Sequence, residues 1–250
     1  MKLTAKDFLA LPHKRITLMG MSGCGKSYIT ALLEKFDWDS YSCDYQIGMK
    51  YLKDHLADME GFKSSDIRAL STFIGKLGNP DLGGYSLDTF KARQKAYYDA
   101  ECSAIKEAVD ICKGSDKNFV HDSTGSLCEI MDDDLLAQIG QQTLFVYLKA
   151  SEADEKDVLK RAQKYPKPLF FPPAKMDVWI EQYLDEQNIQ NTDEIVPDDF
   201  ARYVFPKLFE SRKPKYERLS DLYGVTIPAR EFLNFESEDD FFEIIAKYLP

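Results

Sequence analysis

The chain has 250 residues, 44% of them hydrophobic and 13% aromatic. That suffices for one sizeable core, or for a core carrying a smaller insert or lid. A formal net charge of −10 at pH 7 and a pI of about 4.9 argue against a generally basic nucleic-acid-binding surface, while leaving room for a local cationic phosphate pocket.

Thr4-x-x-Asp7 ahead of Phe8-Leu9-Ala10-Leu11 predicts a short capped helix that Pro12 ends. Met1 to Pro12 carries Lys2, Lys6 and Asp7 and no apolar h-region, so no signal peptide is expected. Arg15-Ile16-Thr17-Leu18-Met19 is an apolar run of the kind a buried strand uses, and Ser27 to Lys35 carries apolar residues at helical spacing. Between them, Gly20-Met21-Ser22-Gly23-Cys24-Gly25-Lys26-Ser27 fits GxxxxGK[ST]. In such a loop successive backbone N–H groups form a nest for phosphate, to which the next helix adds its positive end. Met21, Ser22, Gly23, Cys24, Gly25, Lys26, Ser27 and Tyr28 are therefore the expected nucleotide-binding residues. Lys26 would reach the β/γ-phosphates and the Ser27 hydroxyl would hold Mg2+.

Asp39 to Asp44 reads as a second strand ending in a carboxylate, and Tyr45 to Leu77 as mostly helical with a break at Gly61. Gly75 to Gly84 contains the turn signal Asn79-Pro80-Asp81. Leu87 to Cys112 is predicted as a long helix with Phe90, Tyr97, Ala104 and Val109 on one face. Asn118 to Asp122 is a third strand, again ending in a carboxylate, and Thr143 to Leu148 a fourth, without interior charge and so buried on both faces. A helix capped at Ser151-x-x-Asp154 runs to Lys164. The proline-rich stretch Tyr165 to Pro173 is a loop carrying exposed cations and aromatics, because proline removes donors and clashes in helices; Phe170 and Phe171 could stack on a base but are expected to pack on the core. Helices over Met176–Ile189 and Asp199–Glu210, a strand at Val225–Pro228 and a closing helix over Asp239–Tyr248 complete the chain. The acidic runs Asp132–Asp134 and Glu236–Asp240 suit helix N-termini.

Strands alternating with helices imply an α/β fold with a mainly parallel sheet, whose ligands sit beyond the carboxyl ends of the strands. The phosphate loop, Asp44 and Asp122 all follow strand ends. Phe119-Val120-His121-Asp122, apolar residues leading to Asp, makes Asp122 the second Mg2+ candidate after Ser27; its alternative role is a strand-end turn residue. Asp44 has an alternative as an N-cap.

The chain resembles the shikimate kinase family of P-loop kinases. Ile16 to Gly20 with Gly23 to Ser27 looks like that family's opening, and Ser42-Cys43-Asp44-Tyr45-Gln46-Ile47 like its Asp-x-Asp-x-x-Ile segment. Phe90-Lys91-x-Arg93 is similar to its Phe-Arg-x-x-Glu helix, Leu144 to Leu148 to its fourth strand, Tyr165 to Leu169 to its lid, and Arg212 to Glu217 to its Arg-x-Pro-x-Tyr-Glu helix. The resemblance implies one P-loop kinase-like domain over 1–250. Its fold would be a three-layer α/β/α P-loop NTPase fold with a five-stranded parallel sheet, a helical substrate-side insert at about 48–88 and a lid at about 161–190.

The resemblance also implies ATP and Mg2+ as cofactors, a small-molecule acceptor as partner, and Lys26, Asp44 and Asp122 as catalytic residues. Asp44 would orient or deprotonate the acceptor hydroxyl. One of Arg161, Lys164 and Lys167 would cover the triphosphate. Lys91, Arg93, Ser123, Thr124, Gly125 and Arg212, with Asp44, would contact the acceptor. Asp122-Ser123-Thr124-Gly125-Ser126 stands where the family has a Gly-Gly-Gly turn, and Lys91 stands where it has an arginine. Lysine lacks the planar fork that grips a carboxylate, so an acceptor other than shikimate is expected. Two rivals remain open: an ATP-binding or hydrolysing switch acting through a protein partner, and a kinase of a nucleotide sugar or nucleoside. Five cysteines (24, 43, 102, 112 and 128) without a CxxC, and no apolar run of membrane-spanning length, lead to an expected cytoplasmic location with reduced thiols and no membrane partner.

Overall fold

The architecture is seen in a computed structural model that describes residues 3–57 and 67–250. Five strands, β1 (Arg15–Met19), β2 (Asp39–Ser42), β3 (Phe119–Asp122), β4 (Leu144–Lys149) and β5 (Gly224–Pro228), form one sheet in the order β2-β3-β1-β4-β5. Every pairing is parallel. This is the α/β, five-stranded parallel arrangement expected from the alternation of strand and helix patterns. Its helices are α1 (Ala5–Ala10), α2 (Lys26–Glu34), α3 (Cys43–Gln46), α4 (Lys53–Ala57), α5 (Ile67–Ile74), α6 (Leu87–Gly114), α7 (Asp133–Gln142), α8 (Glu152–Lys164), α9 (Pro173–Gln187), α10 (Pro197–Tyr223) and α11 (Glu238–Tyr248). No helix among the described residues is long and apolar enough to cross a membrane.

The chain divides into two compact units. The first comprises Met1–Gln46, Glu101–Ala153 and Lys213–Pro250; the second comprises Ile47–Ala100 and Asp154–Arg212. The first unit holds the sheet. Ile16, Leu18, Val120, Val146, Leu148 and Ile227 from the strands pack with Ile29 and Leu33 of α2 and Phe241 and Ile245 of α11 into one cluster. Each such side chain stabilises the fold by roughly 1.5–3 kcal/mol on burial. Local signals start the helices: Thr4 caps α1 by accepting from the Asp7 amide, Asp132 caps α7 by accepting from the Leu135 amide, and Ser237 with Asp240 closes a reciprocal capping box on α11.

The second unit is built on aromatic packing. Phe171 stacks parallel to Phe200 at 5.9 Å between ring centroids and meets Phe90 and Trp179 edge-on. Gln94 of α6 ties the end of the 165–172 loop into this cluster, donating to the Leu169 carbonyl (3.0 Å) and accepting from the Phe171 amide (2.9 Å).

Three local expectations change. Strand β2 ends at Ser42, and Cys43 to Gln46 already turn as a helix, so Asp44 sits in a first helical turn instead of at a strand end. Ile47–Tyr51 forms a π-helical turn, and the break expected at Gly61 lies outside the described residues. In the proline-rich loop Phe170 and Phe171 are buried, as their expected packing on the core requires, while Tyr165 is 61% exposed. Finally, the helix expected over Asp199–Glu210 extends through Pro206 and Pro214 to Tyr223. Each proline forfeits one backbone bond, and burial of Val204, Leu208, Phe209, Tyr216 and Leu219 along the same helix outweighs that loss.

Candidate functional site

The loop from Gly20 to Gly25 joins β1, the central strand, to α2. Gly23 and Gly25 have φ of +86° and +102°, values that side chains with a Cβ rarely adopt. Gly25 is the residue immediately preceding α2. Its neighbour Lys26 is only 7% exposed, and its Nζ donates back to the loop carbonyls of Gly20 (3.0 Å) and Met21 (3.4 Å). The cation is thus held within the curl of the loop, at the positive end of α2, where an anion is favoured.

Sheet register explains what faces this loop. Leu18 of β1 lies beside Asp122 of β3, and Ser42 of β2 lies on the other side of Asp122. One residue beyond β1 the chain enters the phosphate loop, so the β3 carboxylate meets the start of α2. The Ser27 hydroxyl donates to Asp122 Oδ2 at 2.7 Å. Asp122 is 5% exposed. Burial raises its pKa, with Glu34 adding, and the Ser27 hydrogen bond and Lys26 oppose the rise. Among the described residues no three His, Cys, Asp or Glu side chains gather as a metal cage. What the chain offers a hard divalent cation here is one hydroxyl and one carboxylate, the donor chemistry that suits Mg2+.

Asp44, in the first turn of α3, feels both Lys26 and Asp122. Its carboxyl is pushed up to about 6, mainly by burial and further by Asp122, against the pull of Lys26. A carboxylate with that value is poised to exchange a proton near neutral pH. Beside it the sheet is pinned by a buried polar chain. Thr143 Oγ1 meets Thr17 Oγ1 at 2.7 Å, Thr17 Oγ1 meets His121 Nδ1 at 3.1 Å, and His121 Nε2 meets Cys43 Sγ at 3.0 Å. Burial drives the His121 pKa down to about 3 and the Cys43 thiol well up, so both stay neutral.

The turn after β3 is anchored from inside. Ser123 Oγ donates to the Leu18 carbonyl (2.7 Å), and the hydroxyls of Thr124 and Ser126 both bond the Glu101 carboxylate of α6. Gly125 remains partly exposed and abuts the phosphate loop: a Cβ on it would lie 3.0 Å from the Ser22 nitrogen. Tyr216 of α10 donates to the Gly125 carbonyl at 2.8 Å, and Lys215 pairs with the buried Glu129 just beyond the turn.

The first unit therefore gathers residues 21–28, Asp44, Asp122 and the 123–125 turn. The remaining candidates belong to the second unit. Lys91 pairs with Asp177 at 2.7 Å. Arg93 donates to the Phe73 carbonyl (2.8 Å) and the Tyr85 hydroxyl (2.9 Å), with its guanidinium 4.1 Å from the Tyr85 ring centre. Arg212, 7% exposed, donates to the Phe170 carbonyl at 3.1 Å. Arg161, at the end of α8, and Lys167, in the following loop, are exposed. Sequence reasoning passed over Glu101, and it quoted His121 and Tyr216 within motifs without giving either a role of its own. Glu101 had a signal: it follows Tyr97 by four residues and precedes Ala104 by three, a charge on the buried stripe of α6.

No protein-family model matches the chain, and no curated protein matches it. Among solved structures it is similar to the shikimate kinase of Bacteroides thetaiotaomicron, at 14% identity over 94% of this chain and 95% of that one, with a TM-score of 0.48. It is also similar to the Acinetobacter baumannii shikimate kinase solved with shikimate, at 17% identity, 97% and 95% coverage and a TM-score of 0.47. The Aquifex aeolicus shikimate kinase is similar at 13% identity, with 93% and 91% coverage and a TM-score of 0.38.

Proposed function

We propose that the protein is a cytoplasmic kinase that transfers the γ-phosphoryl group of ATP to a hydroxyl of a small molecule other than shikimate. The observation that carries this reading is the 2.7 Å bond between Ser27 Oγ and Asp122 beside a buried Lys26, which joins a glycine-built phosphate loop to an oxygen-donor pair. Ser27 and Asp122 would hold Mg2+, whose charge offsets that of the β- and γ-phosphates when it is bound.

The chain's own residues do the rest. Lys26 exchanges its loop carbonyl partners for phosphate oxygens. Asp44 takes the proton of the acceptor hydroxyl as that oxygen bonds to the γ-phosphorus; the bond between γ-phosphorus and the bridging oxygen breaks, and ADP leaves. Phosphoryl transfer asks mainly for positioning and charge neutralisation, and Arg161 or Lys167 would add a cation over the triphosphate. Lys91, Arg93, Gly125 and Arg212 are the proposed acceptor side; Ser123 and Thr124, buried with their hydroxyls bonded to the Leu18 carbonyl and to Glu101, drop out of it.

The test is coupled ADP release from Mg-ATP with and without a panel of hydroxylated metabolites, sugars, nucleosides and nucleotide sugars included. Acceptor-dependent turnover supports the kinase. Steady hydrolysis that no acceptor stimulates refutes it in favour of an ATPase switch.

A further inference from the structure

The Asp122–Ser126 turn holds three hydroxyls, and each is turned inward. Ser123 Oγ donates to Leu18 O at 2.7 Å. Thr124 Oγ1 bonds Glu101 and accepts the Ser126 amide at 3.1 Å. Ser126 Oγ lies 2.9 Å from both Glu101 oxygens. Ser123, Thr124 and Ser126 are 1%, 1% and 4% exposed and Glu101 is 0% exposed. Gly125 is the residue of the turn left partly at the surface, and it lies against Ser22 of the phosphate loop, where a Cβ would come within 3.0 Å of the Ser22 nitrogen.

A wholly buried carboxylate is expensive unless every oxygen is bonded. Burying a glutamate there serves the geometry it imposes: two hydroxyls, two residues apart, are drawn to a single carboxylate, which lifts the residue between them outward. Nothing else in the proposed chemistry uses Glu101.

We propose that Glu101 is a positioning residue: by drawing Thr124 and Ser126 inward it presents Gly125 to the phosphate loop, fixes the loop at Ser22, and leaves backbone, not hydroxyl groups, as the turn's face toward the acceptor. The nucleotide consequence rests on the phosphoryl-transfer reading; the geometric consequence does not.

The experiment compares wild type with Glu101→Gln, Thr124→Val and Thr124→Ser. Backbone hydrogen exchange is followed in peptides covering 20–27, 122–128 and 144–149, and 2′/3′-methylanthraniloyl-ATP affinity is titrated alongside. Glu101→Gln and Thr124→Val should raise exchange by at least tenfold in the first two peptides and leave β4 unchanged. They should also weaken the nucleotide about tenfold, the loss that follows from impairing about one hydrogen bond between the loop and a phosphate. Thr124→Ser keeps the hydroxyl and should behave as wild type, and Thr124→Val carries the test if Glu101→Gln does not fold. Unchanged exchange in the phosphate-loop peptide overturns the proposal, as does a uniform rise that includes β4, the mark of general destabilisation. Should wild type fail to bind the nucleotide while the exchange pattern holds, the kinase reading falls and the role of Glu101 stands.

Discussion

Replacing Asp44 with Asn should stabilise the first unit at pH 7 while disabling transfer. The Asp44 carboxyl is pushed from 3.8 to about 6, first by burial and then by Asp122, with Lys26 opposing. The folded protein holds this proton more tightly than the unfolded chain. Between those two values the native state binds more protons, so the Asp44 contribution to stability rises as pH falls through about 6 and is complete below 3.8. A shift of this size corresponds to about 3 kcal/mol of strain at pH 7. Asp44 keeps part of its surface in solvent, which screens the charge and roughly halves that figure. Asparagine preserves the shape without the charge. Asp44→Asn should therefore be more stable than wild type by about 1.5–3 kcal/mol at pH 7, and the gap should close to below about 1 kcal/mol at pH 4. The assay is urea unfolding at both pH values in a Trp179→Phe background, where Trp38, buried in the sheet-bearing unit, reports alone. The acid titration of His121, driven down to about 3, is common to both proteins and cancels. A gap that stays constant with pH, or a variant less stable at pH 7, refutes the electrostatic reasoning.

Lys26→Ala removes a cation whose partners here are two loop carbonyls; isothermal titration should show nucleotide affinity falling roughly 10–100-fold, the loss of one charge-assisted contact. Gly125→Ala places a Cβ 3.0 Å from Ser22 N, so the same titration should show weaker binding, with a stability loss of about 1 kcal/mol by thermal unfolding. Asp122→Ala should raise the Mg2+ concentration for half-maximal activity at least tenfold, because one of two candidate oxygen donors is gone; undiminished Mg2+ dependence with tight nucleotide binding removes Asp122 from the metal site. In wild type the rate of transfer should rise with pH through about 6 as Asp44 loses its proton, and a pH–rate profile flat from 5 to 7 excludes Asp44 as the base.

The parallel sheet was legible because its signals are local. An uncharged run such as Leu144–Leu148 has to be buried on both faces, and capping residues such as Thr4, Asp132 and Ser237 announce their helices within one turn. The helix through Pro206 and Pro214 was not legible, because its continuity depends on burial of residues such as Val204 and Tyr216 that compensates for the missing donors. Local propensity is a weak prior where tertiary packing competes with it. Asp44 was misplaced by two residues for a similar reason: Cys43 and Asp44 read as strand, but β2 ends where its partner β3 ends, at the Ser42–Asp122 pair.

The candidate site divides along the same line. A phosphate loop works through backbone amides and three glycines in eight residues, so its atoms are named by a contiguous pattern, and Lys26 and Ser27 are where that pattern puts them. The turn after β3 works through a partner 23 residues upstream, Glu101 to Thr124. No motif spans such a bond. From sequence, Ser123 and Thr124 read as hydroxyls offered to a ligand; with Glu101 and Leu18 beneath them, those hydroxyls serve the interior, and Gly125 is the residue of the turn that meets the phosphate loop. Hydroxyls already saturated inside the protein cannot distinguish one acceptor from another. On the proposed kinase reading, selectivity for the acceptor then has to come from groups other than these hydroxyls, and a search for the substrate is better guided by variants at Asp44 than by variants at Ser123.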